Sequence, residues 1–224
     1  MNDAPNRRHE SAGVVAAERP ELLLFCGIAG LLGNLAPVVA IIWASTVIDH
    51  NFIADTISDL ARGPHRLIMD CGFYLNAAGL LALAIGTSHA HLGRIGWSLG
   101  IFALALLALV VVMLGLWDAF GVTAEGEGMS VHTTLSFLLA PLYVAGPLLM
   151  APAIGRLHTA LRWLFVASAL VFLVFATGFK LAPTAYDGIL EKIAIAATLA
   201  WTLPLSWVLI VRGRTHAHRM TSDG

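Results

Sequence analysis

Six stretches of roughly 17 to 28 residues carry no charged side chain, and each can cross the ~30 Å hydrocarbon core of a bilayer as an α-helix. Only 12% of the residues are charged and 58% are hydrophobic, whereas about a quarter are charged in an ordinary soluble domain. The sequence therefore predicts an all-α integral membrane protein that forms a six-transmembrane-helix bundle. The stretches fall within the apolar segments Leu22–Ile48, Leu67–Thr87, Ile95–Trp117, Thr133–Ile154, Leu161–Phe179 and Ile193–Val211.

The positions of the basic residues predict the orientation of the bundle. Of the 13 Lys and Arg residues, nine fall in the two tails and in the second and fourth loops, and the other four are Arg62, Arg66, Lys180 and Lys192. Because basic residues accumulate in short cytoplasmic loops, both termini are predicted to be cytoplasmic. The predicted domains are an N-terminal tail (1–21), a transmembrane domain (22–211) and a C-terminal tail (212–224).

The overall charge and the cysteines exclude two classes of interaction. The net charge is −1 and the pI is near 6.7, so a nucleic-acid partner is not expected. The two cysteines, Cys26 and Cys71, are predicted to lie near opposite membrane faces. A disulfide requires Cα atoms within about 7 Å, so none is predicted between them. The expected partner of the apolar surface is membrane lipid.

A short polar segment precedes the second apolar segment. Asp55, Asp59 and Arg62 are spaced so that they share one face of a helix, and a Gly-Pro pair follows as a stop signal. In one interpretation this is a solvated loop helix with an ion pair between Asp59 and Arg62. In the other, Ser58 and Asp59 point into the bundle and bind a metal ion or a polar head group.

Three further polar residues are predicted at the same depth as this segment. Asp70 lies one turn into the second span, and Asp118 and His132 lie on either side of the third loop. A carboxylate and an imidazole at one depth suit a metal site or a general acid/base pair. The sequence contains no HExxH zinc motif, and neither a defined metal ion nor a cofactor follows from these residues.

The arrangement of these residues resembles a known membrane family. The segment Ile57–Leu60 (Ile-Ser-Asp-Leu) before the second span, Asp118 at the end of the third and His132 at the start of the fourth are similar to the bacterial family called domain of unknown function 998. The likeness covers about residues 22–211 and implies a six-helix fold in a bacterial inner membrane, without an established activity. The same segment is more distantly similar to the Frag1/DRAM/Sfk1 proteins, some of which are linked to lipid remodelling.

The leading hypothesis for function is an extracytoplasmic-facing polar pocket that binds or modifies a lipid head group or a small polar ligand. The predicted catalytic residues are His132 and Asp59, and the predicted ligand-binding residues are Ser58, Arg62, Asp70 and Asp118. An enzyme of this kind would use His132 as a general base, with carboxylates holding a metal, in hydrolysis or acyl transfer. The alternatives are a non-catalytic membrane scaffold or accessory subunit, and a small transporter, which the uncharged middle of every span disfavours.

Overall fold

The computed structural model describes residues 19–116 and 131–222, which form helices joined by short turns and loops. Asp118 therefore lies outside the described residues. The helices are α1 (Pro20–Val47), α2 (Ile57–Leu60), α3 (Leu67–His89), α4 (Ile95–Gly115), α5 (Val131–Ile154), α6 (Thr159–Leu181) and α7 (Asp187–Ser222), with a 3₁₀ turn at Thr184–Tyr186 before α7.

Six of these helices are long and apolar enough to cross a membrane, which confirms the six predicted spans. The described part of α7 begins before the predicted sixth span and continues past Val211, the predicted end of the transmembrane domain, to Ser222. Large apolar side chains also cover the outer surface of the bundle, among them Phe25, Trp43 and Trp163. A surface of this composition is stable in lipid and not in water, so the chain is a multi-pass membrane protein. The orientation of the termini stays a prediction.

The six long helices form a closed ring. Each packs against two neighbours in the order α1, α3, α4, α5, α6, α7 and back to α1, and α7 also touches α3. The interior of the ring is filled by large side chains that are fully or almost fully buried, such as Leu80, Leu104, Met150 and Trp201. The first and last long helices are therefore direct neighbours.

Helices α1 and α3 make a close backbone contact in this ring, at Gly33 and Gly79. A Cβ atom on Gly33 would lie 2.5 Å from the Leu75 carbonyl oxygen and 2.6 Å from the Gly79 Cα atom. Small residues let membrane helices approach closely, and the approach brings neighbouring polar groups within hydrogen-bond reach. Beside this contact, Asn76 Nδ2 donates to Asn34 Oδ1 at 3.3 Å.

Replacing Asn76 by leucine should lower the free energy of unfolding by about 1 kcal/mol, because the substitution removes a hydrogen bond between two buried side chains within the membrane. The measurement is the midpoint of thermal or detergent-induced unfolding of the purified protein. Ala78→Leu is the matched control, since Ala78 is exposed on the same helix. Equal midpoints for Asn76→Leu and wild type would remove this role for the asparagine pair.

The end of the bundle at which α1 ends and α3 begins carries the short helix α2, and is called the α2 end below. Ile57 and Leu60 are buried against α1 and α3 side chains that include Ala40, Ala44 and Met69. These contacts hold α2 against the bundle, so the side chains that follow Ile57 have fixed positions relative to the long helices.

Candidate functional site

Helix α2 begins with a capping box formed by Thr56 and Asp59. The Asp59 carboxylate accepts hydrogen bonds from the Thr56 backbone N–H at 2.8 Å and from the Thr56 hydroxyl at 2.7 Å, and the Asp59 N–H donates to Thr56 Oγ1 at 3.2 Å. Partial burial acts to raise the pKa of Asp59, whereas the hydrogen bonds from Thr56 and the nearby charge of Arg62 act to lower it. The lowering effects are together the larger, so the pKa of Asp59 lies below its ordinary value. Asp59 thus stabilises the first turn of α2.

The loop before α2 is fastened to the start of α7. Lys192 Nζ donates to the carbonyl oxygens of Asp55 at 2.7 Å and Phe52 at 3.1 Å, and Lys192 is only 8% exposed. The Gly188 N–H donates to the Ala54 carbonyl at 3.1 Å. A lysine buried in this way replaces its water shell with backbone oxygens, so the loop and the first turns of α7 form one unit.

Glu191 joins the same unit to α2. Its Oε2 atom accepts a hydrogen bond of 2.5 Å from the backbone N–H of Ile57, the first residue of α2. A carboxylate at the start of a short helix satisfies a backbone donor that has no partner within the helix. Glu191 and Lys192 therefore fix α2 and its preceding loop from adjacent positions on α7.

Ser58 and His132 meet across the α2 end. Ser58 Oγ lies 2.9 Å from His132 Nε2, although the two residues are 74 positions apart in the chain. His132 is in the first turn of α5, and its backbone carbonyl accepts a hydrogen bond from the Ser136 hydroxyl at 2.9 Å. The fixed position of α2 therefore brings a hydroxyl and an imidazole into direct contact.

A cavity of about 470 Å³, called the outer cavity below, lies beside this pair between α5, α6 and α7. Its polar side chains come mainly from the α2 end, and its other walls are apolar. The polar lining residues include Thr56, Ser58, Arg62, His132, Lys180 and Glu191, and the apolar ones include Leu139, Ala140, Phe172, Leu173, Ala176 and Ile195.

A second and smaller cavity of about 90 Å³, called the inner cavity below, extends from the same pair into the ring. The two cavities share Ser58, His132, Ser136, Leu139, Glu191 and Ile195. The inner cavity also reaches Asn34, Asn76, Tyr143 and Thr198, which belong to α1, α3, α5 and α7. Ser58, His132 and Glu191 thus stand at the junction of the two spaces.

The structure brings together some of the residues that the sequence singles out as a site. Ser58 and His132 are in contact, and Arg62 lines the outer cavity with them. Asp59 takes part in the capping box, and neither Asp59 nor Asp70 is among the residues that line the two cavities. Proximity alone does not test a role, so all the predicted roles stay predictions: the catalytic roles of His132 and Asp59, and the ligand-binding roles of Ser58, Arg62, Asp70 and Asp118. Within the described ranges 19–116 and 131–222, no three His, Cys, Asp or Glu side chains are grouped so as to hold a metal ion.

The sequence-based site omits Glu191 and Lys180, which both line the outer cavity. An acidic residue near the start of a helix is explained by the helix dipole, and a lysine at the end of a span by its reach to the interface. Each explanation is sufficient for one residue considered by itself, so neither residue is singled out. The adjacent pair Glu191-Lys192 does indicate a structural role, because two neighbouring charges at the start of an apolar span are costly unless loop groups pair with them.

A comparison with known protein families identifies the family of this chain. A family model described as "Protein of unknown function (DUF998)" matches residues 28–208. The chain belongs to the DUF998 family. The matched region of this DUF998 member runs from α1 to α7 and includes both cavities, and it confirms the resemblance noted in the sequence. No curated protein and no solved structure matches the chain. The distant similarity to Frag1/DRAM/Sfk1 proteins stays a prediction.

Proposed function

We propose that the outer cavity binds a membrane lipid, with an anionic head group at the α2 end and an acyl chain between α5 and α6. The observation that carries the proposal is the division of polarity within one cavity, because its polar and cationic side chains gather at the α2 end while its remaining walls are apolar. A volume of about 470 Å³ falls within the ~300 to 1,000 Å³ of ordinary ligand sites. In the orientation predicted from the basic residues, the head group lies on the extracytoplasmic side.

Two cations favour a negatively charged head group. Arg62 and Lys180 both line the outer cavity, and Glu191 is the one carboxylate among the described residues that line it. Lys180 Nζ lies 4.5 Å from the ring centre of Phe179 and 5.1 Å from that of Phe137, so aromatic rings help to hold the ammonium group in place. Guanidinium and ammonium groups form strong hydrogen bonds with phosphate oxygens, which makes a phosphate-containing head group the best match.

The walls of the cavity favour an acyl chain. Phe172, Leu173 and Ala176 of α6 face Leu139 and Ala140 of α5 across the outer cavity. In the most apolar stretch of α6 only 22% of the residues are buried inside the protein, against 39 to 44% in the corresponding stretches of the other five spans. This side of the bundle therefore borders lipid directly. Burying one methylene of an acyl chain contributes about 0.8 kcal/mol of binding free energy when the chain comes from water. A chain that comes from the bilayer is already in an apolar environment, so its burial in the cavity neither adds to nor subtracts from the binding free energy.

The head-group site is tested by exchanging Arg62 for glutamine. Retention of phosphatidylglycerol by the purified protein, measured by native mass spectrometry against phosphatidylcholine, should fall in Arg62→Gln because one of the two cavity cations is lost. Arg66→Gln is the matched control, since Arg66 is an exposed arginine at the start of α3 that lines neither cavity. Equal loss in both variants would indicate general surface charge and contradict a specific head-group site.

The acyl-chain site is tested by filling it. Ala176→Phe places a ring in the outer cavity and should reduce retention of both lipids, whereas Ala167→Phe, on an exposed position of the same helix, should not. Unchanged retention in Ala176→Phe, with the unfolding midpoint of wild type, would overturn the proposed placement of the chain.

A second candidate function is acyl transfer from a lipid ester, which the contact between Ser58 and His132 specifically favours. In the first step a bond forms between Ser58 Oγ and the acyl carbon, the ester C–O bond breaks, and the Ser58 proton passes through His132 Nε2 to the leaving alkoxide. Water then attacks the acyl-serine and transfers a proton through His132 back to Ser58, which releases the carboxylic acid. Lys180 and Arg62 line the same cavity and supply positive charge near the developing oxyanion.

A further inference from the structure

The inner cavity connects polar side chains at two depths of the bundle. Glu191 lies near the α2 end, and Thr198 lies two turns farther along α7, about 10 Å deeper. Likewise, Tyr143 lies three turns beyond His132 on α5, about 16 Å deeper. Thr198 and Tyr143 therefore stand near the middle of the membrane, at the far end of a narrow passage that starts at the junction of the two cavities.

The polar groups at the far end come from four helices. Asn34 of α1 and Asn76 of α3 join Tyr143 and Thr198 there, and all four residues are at most 8% exposed. A hydrogen bond joins the two asparagines to each other. Their grouping creates a buried polar surface from helices that are otherwise apolar at this depth.

The hydrogen bonds of these residues leave oxygen atoms facing the cavity. The Thr198 hydroxyl donates its proton to the Ile195 carbonyl at 2.7 Å, and the Ser136 hydroxyl donates to the His132 carbonyl, so both retain lone pairs that can accept. The Tyr143 hydroxyl has no hydrogen-bond partner in residues 19–116 and 131–222, although the residue is only 5% exposed. A water molecule in the cavity would supply the hydrogen bond that this hydroxyl lacks.

We infer that the inner cavity holds a short chain of ordered water molecules that reaches from His132 and Glu191 to the polar cluster at mid-membrane. A volume of about 90 Å³ is several times the ~10 to 15 Å³ that a cavity needs to hold one water molecule, so it has room for more than one. Water can both donate to the lone pairs of Ser136 and Thr198 and accept from Tyr143, whereas the end of an acyl chain can do neither. This inference rests on the inner cavity alone and stands whether or not the outer cavity binds lipid.

The test is radiolytic hydroxyl-radical footprinting of the full chain in lipid nanodiscs, because X-ray pulses generate radicals from water that is held next to a side chain. Tyr143 should be oxidised several times faster than Trp97 and Phe165, which are at most 3% exposed and line neither cavity. The indole N–H of Trp97 donates to the Thr87 carbonyl and so needs no water. An indole ring reacts with hydroxyl radicals at least as fast as a phenol, so slow oxidation of Trp97 indicates the absence of nearby water. Tyr143 as protected as Trp97 would overturn the inference.

A variant that narrows the passage provides the second measurement. Ile195→Phe enlarges a side chain that lines the inner cavity and should lower the oxidation rate of Tyr143 severalfold. Ile193→Phe is the matched control on α7, since Ile193 lines neither cavity. If Tyr143 is oxidised in wild type but equally fast in Ile195→Phe with an unchanged unfolding midpoint, the water does not reach Tyr143 from the α2 end and the proposed chain is wrong.

Discussion

An alkyl fluorophosphonate is expected to label the wild-type protein on Ser58 and to leave Ser58→Ala without label. The Ser58 hydroxyl, 2.9 Å from His132 Nε2, attacks phosphorus; a new O–P bond forms, the P–F bond breaks, fluoride leaves and His132 takes the proton. The alkyl group fits the apolar walls of the outer cavity next to the serine. In-gel fluorescence measures the label, and mass spectrometry of the modified peptide locates it.

The matched control for this experiment is Ser136→Ala. The Ser136 hydroxyl lines the same two cavities, but it donates its proton to the His132 carbonyl and is therefore not activated. Labelling should persist in Ser136→Ala, and His132→Gln should slow it by about 10² to 10⁴, the usual contribution of a general base. If wild type is not labelled while it still retains lipid, acyl transfer is excluded and the lipid-binding proposal remains.

Replacing Lys192 by methionine should be the most destabilising substitution at the α2 end. Methionine fills a similar volume but cannot donate to the Phe52 and Asp55 carbonyl oxygens, which Lys192 Nζ now contacts at 3.1 and 2.7 Å. Hydrogen bonds to a charged group contribute about 1.5 to 3 kcal/mol each, so a loss of about 3 kcal/mol in the free energy of unfolding is expected. Unfolding titrations in mixed micelles measure this difference.

A second readout separates release of the loop from general unfolding. Trypsin should cleave after Arg62 faster in Lys192→Met than in wild type, because the loop and α2 are no longer fastened to α7. Lys180→Met, at an exposed position, removes the same charge and should change stability by no more than about 0.5 kcal/mol. Wild-type stability and cleavage rate in Lys192→Met would show that the buried lysine does not hold the loop.

The six spans could be predicted because a helix of about 20 uncharged residues is long enough to cross a bilayer, and this length can be counted in the sequence without knowing the tertiary contacts. A buried amide within a span requires a partner, so an asparagine there indicates a contact between helices, and in the structure Asn76 donates to Asn34. A short helix before the second span was also indicated by the spacing of Asp55, Asp59 and Arg62. The structure contains α2 at Ile57–Leu60, which includes Asp59 and leaves Asp55 and Arg62 outside the helix.

The contacts of the site depend on where the ring places its helices, and no local pattern contains that information. Ser58 and His132 are 74 residues apart and meet only because α2 is packed against α1 and α3 beside the start of α5. Taken alone, Glu191 and Lys192 resemble ordinary residues of a helix start. Glu191 nevertheless bonds the backbone of α2, 134 positions earlier in the chain, and Lys192 bonds the backbone of the preceding loop, 137 positions earlier. Such pairings are a property of the assembled bundle.

The contact between the first and last long helices sets the order in which this protein can be assembled. Synthesis delivers α1 and α3 to the membrane first, and their glycine contact allows them to pair before later segments emerge. At that stage α2 and the loop before it lack the hydrogen bonds of Glu191 and Lys192, because both residues belong to the final helix. Until α7 inserts, α2 is held only by its packing against α1 and α3, so an incompletely translated chain carries every other span and still lacks the wall of both cavities that Glu191 supplies.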